Sequence, residues 1–145
     1  MPDHTDIPPS IPRAALVTGG ARRLGRAIAL ALADAGFDVA LHCHTSTADA
    51  KATQADIRAR GRRTTALQAD LSVEAQTAGL VAEAAHALGP IGVLVNSASR
   101  FERDDWRDVT RASWDAHLDT NLRAPFLLIQ DFAKALPTNA EGVVI

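Results

Sequence analysis

A doubly wound α/β fold on a parallel sheet is the architecture that this sequence predicts, and three observations predict it. Short apolar runs such as Val93-Leu94-Val95 lack the alternation of apolar and polar residues. That is the pattern of strands covered on both faces, as in parallel sheets. Helical stretches separate these runs, giving repeated strand–helix units. A glycine-rich turn, Thr18-Gly19-Gly20-Ala21-Arg22-Arg23-Leu24-Gly25-Arg26, directly follows the first apolar run.

In chain order, residues 1–12 carry Pro2, Pro8, Pro9 and Pro12, four of the seven prolines. Proline donates no backbone hydrogen bond and restricts its neighbour, so this stretch is expected to be a disordered tail. One domain is expected over 13–145. Its strands are Ala14–Thr18, Phe37–His42, Arg63–Gln68, Gly92–Asn96 and Gly142–Ile145. Its helices fall near 23–35, 47–60, 73–88 and 111–136. Gly36, Gly61 and Gly89 each sit just past a helical run, where a left-handed cap favours glycine. Pro90 blocks continuation after Gly89. Ser72 is the expected N-cap of the third helix, with Glu74 favourable to its first turn.

Bulk composition narrows the function classes. The chain has 145 residues, 47% hydrophobic and 22% charged, with a formal net charge of −2. That is one ordinary domain with room for a core, and the charge suggests neither a nucleic-acid partner nor an anionic membrane. Arg58-Ala59-Arg60-Gly61-Arg62-Arg63 is basic, but it reads as a helix C-terminus whose cations complement the dipole. Cys43 is the single cysteine, which fits a reducing compartment. No apolar stretch reaches the roughly 18 residues needed to span a bilayer, and Met1–Pro9 lacks the features of a signal peptide. The expected location is the cytoplasm.

Small residues in the first strand–helix turn serve two needs. The backbone must turn sharply, and a pyrophosphate must approach it closely. The turn lacks the Gly-Lys-Ser/Thr ending of an ATP-binding loop. The pattern Thr18-Gly19-x-x-x-Arg23-Leu24-Gly25 resembles the cofactor turn of the short-chain dehydrogenase/reductase family. Asp70-Leu71, Asn96-Ser97-Ala98-Ser99 and Asn121-Leu122-x-Ala124-Pro125 resemble its later motifs, in the right order, so that the resemblance covers residues 13–145. Arg23 stands where the family carries its middle glycine, as in the pteridine-reductase branch. The resemblance implies a Rossmann fold cut after its fifth strand.

An NAD-type site places an acid at the end of the second strand, about 20 residues past the first glycine. Here that place reads Leu41-His42-Cys43-His44-Thr45-Ser46, with no carboxylate. A 2′-phosphate is attracted by cations and hydroxyls. Arg22, Arg23, His44, Thr45 and Ser46 are therefore the expected partners, and NADP(H) the expected cofactor. His42 reads as an ordinary strand-end histidine; His44 divides between that reading and a ligand. Strand residues alternate faces, so Cys43 points away from both histidines and no metal site is expected.

The resemblance implies further roles. Gly19, Leu24, Asp70, Leu71 and Ala98 would contact the cofactor, Asp70 and Leu71 at the adenine. Asn96, Ser97, Ala98 and Ser99 would line the ribose and nicotinamide. Phe101 would sit over the ring of a pteridine-like or carbonyl substrate. Asn121 would be the catalytic asparagine that anchors a water. Each has a plainer alternative: Asp70 as a loop cap, Phe101 as a cover for the core, Asn121 as the site of a proline kink. Pro125 has no N–H, so the Asn121 carbonyl loses its usual helical partner.

Hydride transfer to a C=O or C=N bond needs a proton donor at the acceptor atom. The family uses a tyrosine with a lysine four residues later, and this chain contains no tyrosine. The expectation is a cofactor-binding fragment of an NADPH-dependent reductase, itself without turnover and homo-oligomeric when intact. The alternative is a non-catalytic NADP(H)-binding module.

Overall fold

The computed structural model describes residues 6–145. Five parallel strands form one sheet in the order β3-β2-β1-β4-β5: β1 Ala14–Val17, β2 Asp38–Cys43, β3 Thr64–Gln68, β4 Val93–Val95 and β5 Val143–Val144. The doubly wound parallel sheet is present as the sequence predicts. Helices α1 Arg23–Asp34 and α2 Thr47–Ala59 precede α3 Glu74–Thr77, α4 Leu80–Leu88, α5 Arg111–Leu118 and α6 Ala124–Ala135.

The side-chain period of two divides the core between the faces of the sheet. Ala15, Val17, Val39, Leu41, Val93 and Val95 pack with Ala29 and Ala33 of α1 and Ile57 of α2. Leu16, Ala40 and Leu94 point the other way, onto Val81 and Ala84 of α4 and Leu128 and Phe132 of α6. Both faces are apolar, so the central strands show no alternation. Each fully buried Leu or Val contributes roughly 1.5–3 kcal/mol.

The expected helix caps at Gly36, Gly61 and Gly89 have φ of 89°, 74° and 91°. Two helices depart from expectation. The one expected at 73–88 is two, broken where Ala78 is extended and Gly79 takes a left-handed φ of 94°. Its N-cap is Val73, not Ser72; the Ser72 amide and hydroxyl both donate to Asp70 Oδ1 instead. The helix expected at 111–136 widens into a π-helical turn over Asp119–Arg123. The Ala124 amide reaches back five residues to Asp119 O. Pro125 explains this: an α-helical proline ring would clash with the carbonyl four residues earlier, at Asn121, and a wider turn relieves it.

Of the expected tail, residues 1–5 lie outside the described residues. The stretch 6–12 touches the domain: Ile7 and Ile11 pack on the α1–α2 side of the core, and the Glu141 amide donates to Ser10 O. At the opening of β2, Asp38 is buried and accepts from the Arg63 amide and both the Arg62 and Arg63 guanidinium groups. Two members of the basic run thus brace the sheet.

Candidate cofactor site

In an open α/β sheet, ligands bind at the carboxyl edge where strand order reverses. Here that point lies between β1 and β4, and a cleft of about 660 Å³ opens there. Its floor is the turn between β1 and α1. Gly19 has a φ of 62°, and a Cβ on it would sit 3.0 Å from Ala98 Cα. A Cβ on Gly25 would lie 2.1 Å from Gly19 O. Glycine is required at Gly25 for steric reasons, and at Gly19 for backbone geometry as well. Arg23, the residue in place of a glycine, itself adopts a left-handed φ of 50°. That is a conformation glycine adopts freely, and Arg23 adds a cation to the turn. Helix α1 starts from Arg22 with no side-chain cap and no acid in its first turn, leaving its positive end to attract an anion.

The cleft gathers Gly19, Arg22, Arg23 and Leu24 from this turn; His44, Thr45 and Ser46 from the end of β2; and Leu71, Ser97, Ala98 and Ser99 from the loops after β3 and β4. Arg22 Nε lies 3.6 Å from Asp49, whereas Arg23 has no ion pair among the described residues. Asp70 stays off the lining. Its Oδ1 is held by Ser72, and its Oδ2 is 3.7 Å from His44 Nε2. The Ser72 hydrogen bonds keep its carboxyl below the ordinary range. Asn96 is also off the lining: its amide donates to Ile145 O, and its buried Oδ1 has no hydrogen-bond partner. Phe101 is 86% exposed and outside the cleft.

Asn121 does not line the cleft; its neighbour Thr120 does. The Asn121 side chain clamps the backbone of Arg100, accepting from its amide at 2.7 Å and donating to its carbonyl at 2.8 Å. This fixes the loop after β4 against the π-helical turn.

Three contributors escaped the sequence reading. Thr18 Oγ1 accepts from the Ser97 and Ala98 amides at 3.1 and 3.0 Å, stitching the first turn to the β4 loop. His42 is buried, not an ordinary strand-end residue: its ring lies between Gly19 and Ala69. Cys43 also lines the cleft, and burial pushes its thiol up. Thr18 carried a signal, as the first residue of the turn. The burial of His42 depends on a β3 loop remote in sequence.

A family profile described as short chain dehydrogenase matches residues 13–145. The chain belongs to the short-chain dehydrogenase family. Among curated relatives, the 3-oxoacyl-[acyl-carrier-protein] reductase FabG of Staphylococcus epidermidis is 32% identical over 133 residues, 92% of this chain and 54% of that protein. Among solved structures, FolM alternative dihydrofolate reductase 1 from Brucella canis, complexed with NADP, has a TM-score of 0.86 and 42% identity, covering 90% of this chain and 53% of that one. A short-chain dehydrogenase from Burkholderia cenocepacia, in complex with NADP, has a TM-score of 0.82 and 41% identity, covering 84% and 50%. The chain thus spans about half the length of these short-chain dehydrogenase relatives. Among the described residues no helix is long and apolar enough to cross a membrane.

Proposed function

We propose that this chain is the NADP(H)-binding part of a short-chain reductase that reduces a C=O or C=N bond, with a pteridine-like or other carbonyl substrate. One observation carries the proposal: the uncapped start of α1, with Arg23 beside it, opens onto the cleft at the strand-order reversal. The cradle fits a dinucleotide. Added Cβ atoms would crowd Gly19 and Gly25, and the first-turn amides of α1 suit a pyrophosphate. The end of β2 supplies His44, Thr45 and Ser46 with no carboxylate among them, which suits a 2′-phosphate, together with Arg22 and Arg23. NADP-bound relatives with about 40% identity support the same reading.

When bound, NADPH supplies the hydride. Leu71 would meet the adenine, and Ser97, Ala98 and Ser99 the ribose and nicotinamide side, while Asp70 and Asn96, off the lining, would support the loops that carry them. Asn121 would position the β4 loop and, through its carbonyl, a water of the proton relay. Phe101 would cover the substrate. The chain's composition offers no tyrosine as proton donor, so the 145-residue chain alone is expected to bind cofactor without turnover. The intact protein is proposed to be a homo-oligomer.

Titration of NADPH and NADH into the chain, followed by nicotinamide fluorescence, tests this. NADPH should bind at least about tenfold more tightly, the equivalent of one charge-assisted contact. Equal affinity for both, or binding of neither, would refute the assignment.

A further inference from the structure

His42 touches the glycine-rich turn through both its backbone and its side chain. Its carbonyl accepts the Gly20 amide at 3.0 Å, a contact any residue could make. Its ring adds a second contact: Nδ1 lies 3.2 Å from the Gly19 amide nitrogen. A backbone amide only donates, so Nδ1 must be unprotonated. Nε2 then carries the proton and donates to Ala69 O at 2.9 Å. Both contacts require the neutral ring with its hydrogen on Nε2. A second proton would set two N–H groups against each other at Gly19.

We propose that His42 is a positioning residue whose neutral ring, oriented by Ala69 O, holds the Gly19 amide of the glycine-rich turn and releases it on protonation, making dinucleotide affinity fall in acid. This rests on the reading of the cleft as a dinucleotide site. The turn has no other side-chain tie to β2 among the described hydrogen bonds. Burial favours the neutral ring. The titratable groups around it are Cys43 on β2, His44 just after that strand, Asp70 from the loop after β3, and Arg22 and Arg23, which line the same cleft. His44 reinforces the effect of burial, while the Ala69 hydrogen bond and Asp70 oppose it; together they leave the pKa of His42 lowered. Its register partner on β3, Leu67, is neutral.

Two variants of the full chain separate this lock from general packing. In His42→Phe the ring shape survives and both polar contacts are lost. In His42→Asn, Oδ1 can replace Nδ1 as acceptor but cannot be protonated. NADP⁺, which tolerates acid, is titrated calorimetrically between pH 5 and 8, alongside hydrogen exchange at the Gly19 amide without cofactor. Loss of the Gly19 contact should weaken NADP⁺ binding by about tenfold at pH 7.5 in His42→Phe, while His42→Asn stays within about twofold of the native chain. As pH falls below the ordinary imidazole range and through the lowered value of His42, the native chain should lose affinity more steeply than His42→Asn. Every other group is common to both proteins, so the difference isolates the ring of His42. Equal binding by the native and Phe proteins, or parallel pH profiles for the native and Asn proteins, would overturn the lock. If the native chain binds no NADP⁺, the dinucleotide reading fails. Gly19 exchange then decides the lock alone: faster exchange in His42→Phe but not in His42→Asn supports it, and unchanged exchange overturns it.

Discussion

Replacing Thr18 by valine removes one hydroxyl and keeps the side chain's shape. In the native turn that hydroxyl oxygen accepts from the amides of Ser97 and Ala98 and donates to Val95 O at 3.3 Å. Val95 O keeps the Thr18 amide as a partner at 3.0 Å, so it is not orphaned. The two amides lose their acceptor in a half-buried setting, at a cost of about 1 kcal/mol each, the low end for unsatisfied groups. The added methyl is buried, because Thr18 is 2% exposed, and returns up to about 0.8 kcal/mol. The net expectation is a destabilisation of about 1.2–2 kcal/mol. Urea unfolding followed by circular dichroism reads it as a lower midpoint at unchanged slope. Thr18→Ser, which keeps the hydroxyl, should retain most of the stability tied to these contacts. A Thr18→Val protein as stable as the native chain would show that the stitch between the first turn and the β4 loop contributes nothing net.

The remaining predictions concern sterics and charge. Gly25→Ala puts a methyl 2.1 Å from Gly19 O, so backbone must move. A loss of roughly 2 kcal/mol or more of stability, with nucleotide affinity falling further than stability alone explains, should appear in parallel denaturation and titration. Asp38 gives a pH signature. Burial alone would raise its carboxyl, but the Arg63 amide and the Arg62 and Arg63 guanidinium groups outweigh this and hold it below the ordinary range. Its contribution is therefore fully present above the ordinary carboxylate value of about 3.9 and is lost as pH falls through the folded value. Asp38→Asn should lose about 2 kcal/mol at pH 7 and show a smaller further loss between about pH 4 and 2 than the native chain, measured by urea midpoints across that range.

The central strands β1, β2 and β4 were legible because burial on both faces leaves a local signature: apolar runs without alternation. The glycine-rich turn was legible for the same reason, since sharp turning and close approach restrict residue type at fixed spacing. Arg22, Arg23, His44, Thr45, Ser46, Leu71 and Ser97–Ser99 meet at one cleft because parallel connectivity brings every strand's carboxyl end to the same edge. The sequence also contained the cause of the π-helical turn, Pro125, but not its form. A missing N–H can be met by a kink or by a wider turn, and residue type alone does not choose between them. Gly79 was the unread sign of the break between α3 and α4. Only tertiary structure decided the fate of His42, Thr18 and Asn121. Each bonds to backbone from 21 to 80 residues away, and no local pattern encodes which distant amide a polar side chain will meet.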